Sequence, residues 1–525
     1  VKFRIKLLSA LLASPLLAGV GHAEWQVASS AHFVVYEDDT PQHVSAYATR
    51  LERYDRAMRL LHLMPEDKRG PSARVTVFVL SSTSDIHRLF GKGGQDVAGF
   101  YRGSAAGSVA FVPKSSGEYS NNGLSPQVIL QHEYAHHFML SNWTEAAFPE
   151  WFVEGFAEFH ATARFRDDGS IIFGAPPIYR RYTIADSASM PIDLLLQPRP
   201  TNLSSKETDG LYGRGWLLTH YLTFDPKRRA QLAAYIGALN SGKSISDANK
   251  ELGNISGLDN KLNQYGQSPT FKSAMFTPDQ LPVGEITVRA VTPGEAAIMA
   301  CLIRSKRGVD KERAGQVAAD ARAVAANYPN DADVLNELAE AEFDAASTND
   351  GNLADFAAAE ATADRAISIN PKSVHALLYK GMAQMATANK TKAADAKTWQ
   401  DIRKWFLAAN KIDPENPQPL ALYYESFVNA DQIPSKNAQD AMIYAYALAP
   451  YDLELRARAA VVLLEQGRLP QAKVALGPIA YQAEGRDGDK SPAITAIASI
   501  NAGDVAGAIE ALKPKKKDDE KPSSK

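Results

Sequence analysis

Cysteine is nearly absent from this chain: one in 525 residues, Cys301. A single thiol makes no internal disulfide, so packing alone must hold the fold. Its setting, Ala296-Ala297-Ile298-Met299-Ala300 before and Leu302-Ile303 after, marks it as an inert buried thiol rather than a nucleophile. An excess of one charge is missing too. The 57 Lys and Arg nearly balance the 60 Asp and Glu, for a net charge of −3, which removes the electrostatic case for nucleic acid. Long apolar runs are scarce. The run from Leu7 to Val20 falls short of the roughly 20 residues of a membrane span. It follows Lys2, Arg4 and Lys6 and precedes the small residues Gly21-His22-Ala23, the layout of a secretory signal peptide over 1–23. With no cysteine near the cleavage point, no lipid anchor is expected. Val1 fits a bacterial alternative start, so the expected location is periplasmic or secreted, with no transmembrane anchor after cleavage.

What is present is metal-binding chemistry. Gln131-His132-Glu133-Tyr134-Ala135-His136 reads H-E-x-x-H between the apolar runs Val128-Ile129-Leu130 and Phe138-Met139-Leu140. Four residues is about one helical turn, so His132 and His136 share a face and can bind one Zn²⁺. Glu133 stands beside them as a general base toward water. Zinc needs a third protein ligand. Trp151-Phe152-Val153-Glu154-Gly155-Phe156-Ala157-Glu158 offers Glu154, which completes a His₂Glu set with one position open. Glu158, one turn on, is expected to accept the free ring N–H of a liganding histidine. A buried helix with merely hydrogen-bonded histidines is the bland alternative, and the second stretch weighs against it.

These two stretches resemble the core of gluzincin metallopeptidases (peptidase MA-like), the clan of thermolysin and the aminopeptidase N-like enzymes. In the aminopeptidase-like branch the third ligand lies in a W-x-x-E-G-x-A segment, with eighteen residues between it and the second histidine. Here seventeen residues separate His136 from Glu154, a difference that a loop through Ser141-Asn142-Trp143-Thr144 absorbs. That branch also carries an oxyanion-stabilising tyrosine in a Y-x-K-G segment. Tyr212-Gly213-Arg214-Gly215 matches it with Arg for Lys, placing Tyr212 at the head of the apolar helix Trp216 to Leu222 and leaving Arg214 as reserve donor. The branch's G-x-M-E-N segment, which grips a free α-amine, has no counterpart before His132. Two strands stand there instead, Val97 to Gly103 and Gly107 to Pro113, the second ending at a proline as edge strands do. An edge strand beside the metal helix can hold an extended peptide, which favours an endopeptidase-like cleft.

Further strands are expected at Trp25–Ser29, His32–Tyr36 and Arg74–Leu80, with a helix from about Val44 to Leu63. The fold class is thus α+β over 24–265, a small mixed sheet with active-site helices, and the gluzincin resemblance implies that it is zincin-like. The Gly/Ser/Pro-rich stretch 266–293 reads as a linker. From Gly294 the chain turns to alanine-rich helix pairs closed by Tyr328-Pro329, Asn370-Pro371, Asp413-Pro414 and Ala449-Pro450. The proline spacings of 42, 43 and 36 lie at or above the tetratricopeptide period of about 34. The stretch 294–512 therefore resembles degenerate tetratricopeptide (TPR) repeats, an all-α solenoid whose concave face implies a protein or peptide partner. Residues 513–525 read as a charged disordered tail. The whole resembles an uncharacterised bacterial secreted family, and implies a zinc metallopeptidase acting on a peptide or protein substrate. Two alternatives stay open: a repeat scaffold with a structural or vestigial zinc domain, and a zinc hydrolase acting on cell-wall peptides.

Overall fold

A computed structural model describes residues 24–513 apart from 67–68, 115–124, 185, 187–188, 242, 393 and 482–490. The expected signal peptide and the tail beyond Lys513 lie outside the described residues. The chain opens with β1 (Trp25–Ser29), β2 (Phe33–Asp38) and α1 (Pro41–Leu61), then β3 (Val75–Leu80), α2 (Thr83–Phe90), β4 (Phe100–Arg102) and β5 (Ser108–Pro113). Two central helices follow, α3 (Pro126–Asn142) and α4 (Glu150–Ala161), then β6 (Arg164–Phe165), β7 (Ile171–Phe173) and the short helices α5 (Arg181–Ile184) and α6 (Ile192–Leu195). The long α7 (Ser205–Phe224) is followed by α8 (Pro226–Asn240), α9 (Ile245–Asn249), α10 (Ile255–Gly266), β8 (Ala274–Phe276) and β9 (Thr287–Ala290).

The larger sheet is mixed, in the order β4-β5-β3-β2-β1-β9. Strands β2, β3 and β5 are parallel, and β1, β9 and β4 run antiparallel to their neighbours. Both faces are buried. Val75, Val77, Val79, Ala110 and Val112 pack with α1, α3 and α4, while Phe78, Leu80, Val109 and Phe111 point to the opposite face. The strand alternation of β3 and β5 sorts their residues between two cores.

Three expectations need correction. The stretch 266–293 is no free linker: β8 pairs with β7 and β9 pairs with β1, while Leu281 is buried in the main core. The edge strands of the sheet are β4 and β9, whereas the proline-ended β5 lies inside it between β4 and β3. Tyr212 sits in the middle of α7, because Ser204 caps that helix eight residues earlier in a reciprocal box with Glu207.

Among the described residues that follow, the regular elements are all helices: α11 (Pro293–Arg307), α12 (Lys311–Asn327), α13 (Ala332–Thr348), α14 (Leu353–Ile369), α15 (Val374–Thr391), α16 (Ala396–Ile412), α17 (Pro417–Val428), α18 (Lys436–Leu448), α19 (Leu453–Glu465), α20 (Leu469–Tyr481), α21 (Pro492–Asn501) and α22 (Val505–Leu512). Each helix packs on the next, and α11 and α15 both also pack on α13. The prolines that set the repeat period fall just after α12, α14, α16 and α18, where the chain cannot continue a helix. The array touches the first domain at several points along its length, Ser72 bonding Asp413 between α16 and α17 among them. Met299 and Ile303 of α11 cover the second face of the sheet. Farther on, Asp452 accepts the Ala105 N–H at 2.7 Å, and the fully buried Arg456 donates to the Thr144 carbonyl at 3.2 Å. Tyr451 lies 4.7 Å from the His137 ring. Among the described residues, no helix is long and apolar enough to cross a membrane.

Candidate metal centre

Helix α3 starts where Ser125 accepts the Val128 N–H, with Pro126 in the first turn. Its inner face sends Leu130, Tyr134 and Phe138 into the core. His132 and His136 lie on its flank, with side chains 17% and 19% exposed. Every residue of α4 is buried, so its carboxylates must find partners within the protein.

Glu154 finds the two histidines. Its Oε2 is 3.4 Å from Nε2 of His132 and 3.7 Å from Nε2 of His136, and the two nitrogens are 3.1 Å apart. A tetrahedral zinc with ligands at about 2.0–2.1 Å needs edges of roughly 3.3–3.4 Å between donor atoms. The triangle brackets that value, and two imidazoles with one carboxylate are zinc-type donors. The residues fit the ion.

The electrostatics fit a ligand set as well. Burial alone would lower the His132 imidazolium, but its hydrogen bond to Glu154, with the charges of Glu158, Glu154 and Glu133, carries it up to about 9. Burial and the His132 charge bring His136 down to about 4, against the pull of Glu154. Burial would raise the Glu154 carboxyl, yet His136, His132 and Arg180 hold it below its usual range. A bound cation would displace the ring proton that Glu154 favours on His132. Glu133 is half-buried, and its charge acts on His132 and on Tyr101.

Two other groups of possible ligands occur among the described residues, Glu37 with Asp39 and His43, and Glu337 with Glu340 and His375. Each already has a lysine ammonium at ion-pair distance, Lys114 in the first and Lys306 in the second. Among the described residues, the His132 triad has no such lysine in its ion pairs.

Tyr212 reaches this place although it lies 58 residues beyond Glu154. Its ring centroid is 6.3 Å from that of His132. Burial and the nearby Glu154 charge raise its phenol, while Arg180 opposes them. Close approach of α4 and α7 makes this possible. A Cβ on Gly155 would overlap the Gly215 carbonyl, and one on Gly215 would lie 2.8 Å from the Trp151 carbonyl. The glycines in both motifs therefore allow backbone-to-backbone contact. The reserve donor Arg214 is directed elsewhere: it is fully buried and bonds Asp259 at 3.0 Å and Asn263 at 2.9 Å on α10.

Glu158 departs from expectation. It accepts the Tyr179 O–H at 2.6 Å and the Arg180 guanidinium at 3.1 and 3.2 Å, so its oxygens serve these groups and no histidine N–H. One helical turn carries it past the imidazoles toward the segment before α5. Tyr179, Arg180 and Asp209 had no signature in the sequence. Arg180 lies 22 residues from Glu158 and 29 from Asp209, separations that no periodicity encodes.

No protein-family model matches the chain, and no curated protein matches it. Solved structures similar to it include a thermophilic TPR protein of Thermus thermophilus, TTC0263, at 15% identity, covering 37% of this chain and 92% of that one with a TM-score of 0.30. PilF of Pseudomonas aeruginosa is 14% identical over 42% of this chain and 88% of its own, TM-score 0.30. A MamA RS-1 double mutant is 15% identical over 38% and 100%, TM-score 0.26. Scores this low carry no weight here, so the repeat architecture rests on the helix pairing described above.

Proposed function

We propose that this protein is a zinc-dependent peptidase of gluzincin type, zincin-like in its first domain, acting on extended peptide segments. The observation that carries the reading is the donor triangle of His132, His136 and Glu154, with Glu133 on the same helix and Tyr212 beside it. A zinc ion held by that triad would supply Lewis acidity, bringing water toward neutral pKa and polarising a carbonyl. Glu133 takes the proton from the attacking water and passes it to the leaving amine. Tyr212 donates its O–H to the carbonyl oxygen as negative charge develops there. Strand β4, the edge strand next to β5 and in contact with α3, offers main-chain hydrogen bonds to an extended substrate. An extracytoplasmic setting, supported by the signal-like layout of residues 1–23, and a protein partner on the repeats belong to the same reading.

The test pairs two variants. Glu133→Gln should keep stoichiometric zinc and lose hydrolysis of a peptide library, whereas His136→Ala should lose the zinc. Hydrolysis that persists in Glu133→Gln removes the peptidase reading. Zinc that persists in His136→Ala removes the ligand set. Cell-wall material offered alongside the library separates the substrate classes.

A further inference from the structure

Arg180 occupies the seam between α4 and α7. Its Nε and Nη2 donate to Oε1 of Glu158 at 3.2 and 3.1 Å, and its Nη1 donates to Asp209. Tyr179 closes the other oxygen of Glu158. The guanidinium carbon lies 4.7 Å from the centroid of the Tyr212 ring, within cation–π range. Glu158 is one turn beyond the ligand Glu154 on α4, and Asp209 is three residues before Tyr212 on α7. One planar cation therefore spans the ligand helix and the tyrosine helix while lying against the tyrosine.

The donor count matters. Three of the guanidinium's five N–H groups are engaged by two carboxylates. Its orientation is set by both partners at once, which an ammonium could not reproduce. A cation against the phenol also favours negative charge near the O–H, which strengthens that group as a donor.

We propose that Arg180, clamped by Glu158 and Asp209, is a positioning residue for Tyr212. The role it plays in turnover rests on the peptidase reading above; its hold on the ring does not. This assigns Glu158 its purpose: it anchors Arg180.

The experiment uses the full chain with Arg180→Ala, Arg180→Lys, Tyr212→Phe and the Arg180→Ala/Tyr212→Phe double variant. Arg180→Ala should lower kcat by about 10–100-fold with KM little moved, and Arg180→Lys should not restore it. The double variant should be no slower than Tyr212→Phe alone, because a residue acting through a group has no effect once that group is gone. Zinc content should stay at the parent's value. A second readout needs no turnover: 3-fluorotyrosine placed genetically at position 212 should show a shifted ¹⁹F resonance in both Arg180 variants. Losses that multiply in the double variant, or an unmoved resonance, overturn the assignment. A parent that hydrolyses nothing overturns the peptidase reading, and the resonance still decides whether Arg180 holds the ring.

Discussion

At the residue scale, Tyr212 bears the sharpest consequence. Its ring packs beside His132 and under Arg180, and Tyr212→Phe keeps that packing while deleting the donor. Stability should barely change, and turnover should fall by about 10²–10³, the usual effect of losing one oxyanion donor. A Phe variant as active as the parent would make Tyr212 a packing residue. Asp344 on α13 offers a different test. Burial, aided by Glu340 and opposed by Lys306 and Arg102, pushes its carboxyl up to about 7. Between about pH 4 and 7 the folded state then keeps a proton that the unfolded chain has released. Stability is therefore lost as pH rises through that window. Asp344→Asn stays neutral throughout, so its urea midpoint should exceed the parent's at about pH 8 and approach it near pH 4. A difference independent of pH would exclude Asp344 as the titrating group.

At the scale of elements, the contact between α4 and α7 sets the geometry of the centre. Alanine at Gly155 would drive a methyl into the Gly215 backbone, and backbone cannot swing aside as a flexible side chain does. Gly155→Ala should cost about 1–3 kcal/mol or more, and by parting the helices it should also lower turnover. Gly237 in α8 is the matched control, exposed and with nothing within 4 Å of an added Cβ. Gly237→Ala should stabilise by about 0.5–1 kcal/mol. Urea denaturation of the two variants checks both signs, and equal effects would sink the close-approach argument. The same elements mark what the sequence could tell. His132, Glu133, His136 and Glu154 were legible because helical spacing is local and the donors sit one turn apart or on the next helix. Glu158 was assigned the wrong partner, since spacing places a side chain on a face but does not say what fills the space opposite. Arg180 and Asp209 left no trace because their partnership exists only after α4, α5 and α7 have packed. The stretch 266–293 misled by composition. Its glycines, serines and prolines suit a linker, yet pairing Thr287–Ala290 with Gln26–Ser29 needs only backbone groups at matching register.

At the scale of the whole molecule, the two halves read from sequence as separable modules, and their packing says otherwise. Phe78, Leu80 and Phe111 form the second face of the sheet at 1%, 8% and 0% exposure, against Met299 and Ile303 of α11. Removing the repeats takes Met299 and Ile303 out of that cluster, to which α2 still contributes Ile86. Each large apolar residue taken out of cover forfeits about 1.5–3 kcal/mol, so the sum is several kcal/mol against a domain stability of about 5–15 kcal/mol. A fragment ending at 292 should unfold at a clearly lower urea concentration than the full chain, or be recovered only as aggregate. Extending it to 307 restores α11 and covers the sheet again. That extension leaves Ile298 and Cys301, which pack on the following helices, as the newly exposed surface. The longer fragment should therefore be the more stable of the two. Circular dichroism against urea, read for both fragments and the full chain, decides the matter. Should the fragment ending at 292 match the full chain's midpoint for its own transition, α11 is not part of the first domain's core and the halves are independent after all.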